Sequence, residues 1–157
     1  MSSGSASTGV GLRVVRIHPG ARLPRYASDG AAGLDLTAAL DAPLEVPSLA
    51  RVKVPTGLVI ALPLGHEGQV RPRSGLAIRD GLTVLNAPGT IDEDYRGEVA
   101  VLLVNLSAET VVIQPGDRIA QLVVAPVTRV VVDERADVDA LGTTERGVGG
   151  FGSTGRG

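Results

Sequence analysis

Glycine and proline break this chain into short aliphatic runs, and that rhythm leaves few folds open. The sequence holds 21 Gly and 10 Pro in 157 residues, with turn pairs at Pro19-Gly20, Pro88-Gly89 and Pro115-Gly116. Between the breaks lie runs of Val, Leu and Ile. None approaches the ~18 apolar residues that a membrane-spanning helix requires. Short apolar runs bounded by turn signals read as strands. The spacing predicts strands over residues 12–18, 34–39, 51–55, 57–62, 68–71, 82–86, 98–106, 110–113, 118–125 and 127–132. Alternation is plain in Arg51-Val52-Lys53-Val54, the pattern of a half-buried strand. One short helix is expected over Ser74–Asp80, with Ser74 as its N-cap and Gly81 closing it. The fold class is therefore all-β: a sandwich, barrel or jelly roll.

The core of such a fold must be aliphatic. There are 22 Val, 18 Leu and 6 Ile, against three aromatics, Tyr26, Tyr95 and Phe151. The length suits one domain of ordinary size. With no Cys, a disulfide scaffold, a thiolate zinc site and a Cys nucleophile are excluded, and a reducing compartment such as the cytoplasm is expected. A net charge of −2 argues against stable binding to duplex nucleic acid. Lys53 is the only lysine among 15 basic residues. Residues 1–11 are rich in Ser and Gly, without a basic start or an apolar stretch, so they read as a flexible tail and not as a secretory signal. Residues 12–132 form the expected β domain. Residues 133–157 form a charged, then glycine-rich arm that cannot order itself alone. Phe151 stands isolated in that arm.

Five segments combine polar chemistry with turn geometry. In Ala32-Gly33-Leu34-Asp35-Leu36, Asp35 reads first as a solvent-facing acid on a half-buried strand. Arg71-Pro72-Arg73-Ser74-Gly75-Leu76-Ala77 ends a strand and opens a helix. Arg73, Ser74 and Gly75 there suit either a phosphate cradle or an ordinary capped helix. Residues 86–98 form a long acidic loop from Asn86 to Glu98, where an acid could act as general base and Tyr95 is a candidate packing surface for a sugar or base; an exposed acidic hairpin, with three acids at 92–94, is the plainer reading. Asp117 and Arg118 in the fourth segment suit a structural ion pair, and Gln121 either a core amide or a ligand contact. The arm formally matches G-x-G-x-x-G over residues 147–152, but no strand precedes it and no helix follows, so a dinucleotide fold is rejected. His18 and His66 stand alone, which disfavours zinc. Magnesium held mainly by substrate phosphates would fit.

Taken together and in order, these segments resemble the five motifs of the trimeric dUTP pyrophosphatase (dUTPase) family. The match runs through residues 32–38, 71–77, 86–98, 116–122 and 146–155, with Arg-Ser-Gly-Leu-Ala and Gly-Thr-Ile-Asp-x-x-Tyr-Arg-Gly nearly unbroken. The resemblance implies a jelly-roll-like (β-clip type) domain with one short helix, assembled as a homotrimer whose active sites are shared between subunits. It implies hydrolysis of dUTP to dUMP and pyrophosphate with Mg²⁺, which keeps uracil out of DNA and supplies dUMP for thymidylate synthesis. By the same resemblance, Asp92 orients and deprotonates the attacking water. Arg73, Ser74, Gly75 and Gln121 hold the phosphate chain, joined by Arg146, Ser153 and Thr154 from the arm. Asn86, Thr90 and Ile91 read uracil, Tyr95 lies under deoxyribose, and Phe151 stacks on the base when the arm closes. Asp35 assists the metal through water. Pro126 marks a hinge after which the last strand crosses to a neighbour. Ala100 stands where many relatives carry a larger side chain lining the uracil pocket.

Two rivals are weighed against this reading. A dCTP deaminase of the same fold needs a carboxylate on the strand after the hairpin, where this chain has Leu102. A non-catalytic trimeric β-sandwich would have no need to assemble Asp92, Tyr95, the Arg73-Ser74-Gly75 turn and the Phe151 arm in one chain.

Overall fold

The computed structural model describes residues 9–150. Eleven strands and one α-helix follow in chain order: β1 (Arg13–Arg16), β2 (Arg25–Tyr26), β3 (Leu34–Thr37), β4 (Leu44–Val46), β5 (Arg51–Ala61), β6 (His66–Arg71), α1 (Ser74–Asp80), β7 (Leu82–Val84), β8 (Gly89–Ile91), β9 (Glu98–Asn105), β10 (Val111–Ile113) and β11 (Arg118–Pro126). They form a four-stranded sheet in the order β1-β5-β9-β7, a five-stranded sheet in the order β2-β3-β11-β6-β8, and a β10-β4 pair. Every pairing is antiparallel. Long-range strand pairing of this kind is a jelly-roll-like arrangement. The core is aliphatic, with Leu36, Val54, Leu58, Val101, Leu103, Ile119 and Leu122 fully buried.

Several expected boundaries change. The separate strands over 51–55 and 57–62 are one strand, β5, carrying a bulge where its register against β9 shifts between Pro55 and Leu58. Gly57 makes the bulge possible: its φ is +65°, and a Cβ would sit 2.6 Å from the His18 Cβ. The Gly57 N–H donates to Glu98 Oε1 at 2.8 Å. Strands β2, β4 and β8 were not expected, being two or three residues long and ordered by their partners. Helix α1 spans the expected residues, but its N-cap is Arg73, not Ser74, and no side chain caps it. Gly81 closes it in the left-handed region at φ +66°. Residues 127–132 are not a strand. The Val127 N–H donates to the Gly65 carbonyl at 2.8 Å, and Val130, Val131 and Val132 are largely exposed. The described part of the arm contains one 3-10 turn, Asp139–Leu141.

Candidate active site

Register and alternation place the chemistry on the outer face of the five-stranded sheet. Leu36, Val70 and Leu122 point into the core, so Asp35, Arg71 and Gln121, next to them in sequence, point out. Pairing then sets Arg25 opposite Asp35, Asp35 opposite Gln121, and Gln121 opposite Arg71. Four residues far apart in the sequence thus form one polar row.

Asp35 is not the free acid that its strand alone suggested. Its Oδ1 lies 3.1 Å from Arg73 Nε and its Oδ2 3.1 Å from Arg118 Nη1, and only 18% of its side chain is exposed. Arg73 also donates through Nη1 to the Arg118 carbonyl at 3.2 Å. Two of its three nitrogens are committed within the chain, and Nη2 remains for a ligand. The expected Asp117–Arg118 pair is absent: Asp117 instead accepts from the Gln114 N–H at 2.8 Å. Gln121 is also held in place. Its Nε2 donates to the Pro72 carbonyl at 2.9 Å, and a Cβ on Gly33 would collide with its amide.

Helix α1 begins where β6 and Pro72 deliver the chain. The N–H groups of Leu76 and Ala77 donate to the Arg73 carbonyl. Those of Ser74 and Gly75 are left at the open end of the helix. A Cβ on Gly75 would meet nothing within 4 Å. No residue of α1 is buried, and Ile78 is 88% exposed. At its far end, Arg79 donates to the Asp80 carboxylate, which raises the guanidinium above its ordinary value.

The hairpin lies on the other side of β6. In β8, Gly89 and Ile91 face inward against Val70 and Gly68, and Thr90 faces out. Past β8, the Tyr95 N–H closes a turn onto the Asp92 carbonyl at 3.1 Å. The Tyr95 hydroxyl donates to the Glu98 carbonyl at 3.0 Å. Its ring lies over Gly97, where a Cβ would fall 2.5 Å from Cζ. Thr90, Ile91, Asp92, Tyr95 and Ala100 line one cavity of about 350 Å³. Lys53, Glu98, Val99 and Leu102 complete its wall. Sequence reasoning missed Lys53 and Glu98 as site residues, because only the β5–β9 register brings Lys53 opposite Leu102.

Not all the expected residues meet. Arg73 opens into a different cavity, of about 660 Å³, shared with Arg118. Gln121 lines a shallow recess with Arg71 and Pro88. Gln121 pairs at Arg71 and Ile91 at Gly68, three residues along β6, or about 10 Å. The Asn86 side chain stays near Gly89, at the cradle end of the hairpin. Among the described residues, Arg146 donates within the arm, to the Gly149 carbonyl at 2.7 Å. Phe151, Ser153 and Thr154 lie outside the described residues. No group of three or more metal-ligating side chains occurs among the described residues.

The sequence matches the dUTPase family model over residues 20–155. The chain belongs to the dUTPase family. Its relatives include the deoxyuridine 5'-triphosphate nucleotidohydrolase of Methylocella silvestris, 61% identical over 85% of this chain and 82% of that protein. The enzyme of the same name from Rhizobium meliloti is 55% identical over 92% of this chain and 91% of its own length. Among solved structures, the dUTPase of Staphylococcus bacteriophage 80alpha with dUPNHPP superposes with a TM-score of 0.79 at 23% identity, covering 92% of this chain and 98% of that one. The dUTPase of phage phi11 of S. aureus, which coordinates a structural Mg(II) ion, gives 0.75 at 20% identity, covering 83% and 99%. These two share its fold. Hydrolysis of dUTP is the activity that goes with this family membership.

Proposed function

We propose that this dUTPase cleaves dUTP between its α- and β-phosphates in sites completed by neighbouring copies of the chain. The observation that carries this reading is the hairpin cavity, where a carboxylate, an aromatic ring and an aliphatic wall converge on a space fit for a nucleoside. Uracil sits against Ile91 and Ala100, read by Asn86 and the Thr90-Ile91 backbone. Deoxyribose rests on Tyr95, whose hydroxyl is tied down, so the ring is a fixed floor with no room for a 2′-hydroxyl. Asp92, exposed at the rim, takes a proton from water as the water oxygen bonds to the α-phosphorus. The bond from that phosphorus to the bridging oxygen breaks, and pyrophosphate leaves.

Arg73, Ser74, Gly75 and Gln121 bind the phosphates from a second copy. Supporting this division, the cradle and the hairpin of one chain open into different cavities, no residue of α1 is buried, and Val130 to Val132 are exposed. A trimer in which residues 127–132 cross to a neighbour answers all three. The arm then brings Arg146, Phe151, Ser153 and Thr154 over the nucleotide and excludes water.

The residues also suit Mg²⁺. Each Asp35 oxygen accepts one guanidinium N–H and keeps a lone pair for a metal-bound water, while direct ligation would compete with both arginines. The ion would be held chiefly by substrate phosphates and, when bound, would withdraw charge from them. Deamination is disfavoured by the site itself: Leu102 lines the cavity, and the Glu98 carboxylate is occupied by Gly57. No helix among the described residues is long and apolar enough to cross a membrane, and a cytoplasmic setting suits nucleotide metabolism. The test is a product assay. With Mg²⁺, the purified protein should release pyrophosphate from dUTP and leave dCTP, dTTP and UTP nearly untouched. Equal turnover of UTP would refute the role of Tyr95.

A further inference from the structure

We infer that Lys53, the only lysine of the chain, binds the phosphate nearest the nucleoside; this rests on the hairpin cavity being the nucleoside site. Lys53 projects from the outer face of β5, directly opposite Leu102 and two residues from Pro55, which faces Ala100. It lines the same cavity as Asp92 and Tyr95 and is the only cationic side chain there among the described residues. Among the described residues it forms no ion pair. Ala100, being small, leaves the space above the strand pair open for a long side chain from β5.

The chemistry of the cavity says what Lys53 meets. Uracil and deoxyribose are uncharged, so an ammonium gains little from either. Tyr95 spends its hydroxyl within the chain, and Glu98 Oε1 accepts from the Gly57 N–H. Asp92, exposed at the rim, creates a need for a cation. A carboxylate base acting beside a phosphate faces like-charge repulsion, and a cation between them offsets it. Arg73 cannot supply that charge within the same chain, because it opens into another cavity. Lys53 is the group placed to do so, as a compact ammonium on a flexible stem.

The experiment compares binding of dUMP and deoxyuridine to the whole protein, wild type and Lys53→Met, by calorimetry. Met keeps the unbranched stem and loses the charge. Losing a charge-assisted contact should weaken dUMP about 10-fold or more and leave deoxyuridine within about 2-fold. Lys53→Arg should restore most of the dUMP affinity. Equal weakening of both ligands would make Lys53 merely part of the cavity wall, and no weakening of either would place it outside the site; both overturn the inference. If the wild type binds dUMP but does not hydrolyse dUTP, the proposed function fails instead. Matching circular dichroism of the variants excludes misfolding as the cause.

Discussion

Replacing Asp35 by Asn removes one charge from between two guanidinium groups and leaves the side chain's size unchanged. The carboxylate accepts from Arg73 on one oxygen and from Arg118 on the other, each at 3.1 Å. An amide offers one acceptor oxygen and one donor nitrogen. Whichever way it turns, its NH₂ faces a guanidinium N–H, and one arginine is released. With the oxygen toward Arg73, a charged acceptor becomes a neutral one, a loss of about 1 kcal/mol. The Arg118 pair is 54% exposed on the arginine side and is screened by solvent, so losing it costs at most about 1 kcal/mol. The sum, about 2 kcal/mol, lowers the melting temperature by roughly 4–8 °C for a chain of this length. Variant and wild type must be compared at equal protein concentration, since assembly shifts the midpoint. Activity should suffer with stability, because the contact that fixes the Arg73 fork is weakened. A fall of about 10–100-fold in kcat/KM for dUTP corresponds to one misplaced charge-assisted contact. Pyrophosphate release measured across a Mg²⁺ titration separates the two roles open to Asp35. If it anchors Arg73, the dependence on Mg²⁺ concentration stays that of the wild type while dUTP binds more weakly. A large shift in that dependence, with unchanged melting, would refute the anchoring argument and assign Asp35 to the metal.

Other substitutions probe the hairpin and the core. Asp92→Asn should still bind dUTP but turn it over at least about 10²-fold more slowly in single-turnover measurements, the contribution expected of a general base. Gly97→Ala places a methyl under the Tyr95 ring; discrimination of dUTP against UTP should narrow, read as the ratio of their kcat/KM values. Asn105 is fully buried, donating to the Val46 and Glu109 carbonyls at 2.8 and 2.7 Å and accepting from Ser107. Asn105→Ala strands those partners and should cost about 2–4 kcal/mol in urea unfolding, with little direct effect on substrate affinity.

The long strands were legible because their aliphatic runs carry the strand period and end at glycine or proline. The short ones were not. Leu44-Glu45-Val46 and Gly89-Thr90-Ile91 become strands only by pairing with β10 and β6, and nothing local announces that. The split at Pro55-Thr56-Gly57 was misjudged for the opposite reason. Proline and glycine signal a break, yet this strand absorbs them in a bulge whose Thr56 is fully buried and donates to the Val99 carbonyl. The candidate site divides in the same way. Asp92 and Tyr95 could be named from their segment, and the structure puts them in one cavity. Asp35, Gln121 and Lys53 depend on register, which a linear reading does not supply. Asp35 looked like a lone acid because its arginines arrive from 38 and 83 residues away.

On the proposed arrangement, register also explains why one chain alone does not complete a site. It sets Gln121 at Arg71 and Ile91 at Gly68, about 10 Å apart along β6, and Arg73 and Asp92 line different cavities. The same chain leaves Ile78 on the cradle helix and Val130 to Val132 beyond Pro126 in water. Each such side chain contributes about 1.5–3 kcal/mol when fully buried. Burial of these residues between copies would therefore stabilise the assembly by several kcal/mol per chain, before the cost of association. On the proposed arrangement, the apolar surface that drives copies together lies on the elements that carry the phosphate donors, and assembly of the trimer and completion of the site are one event.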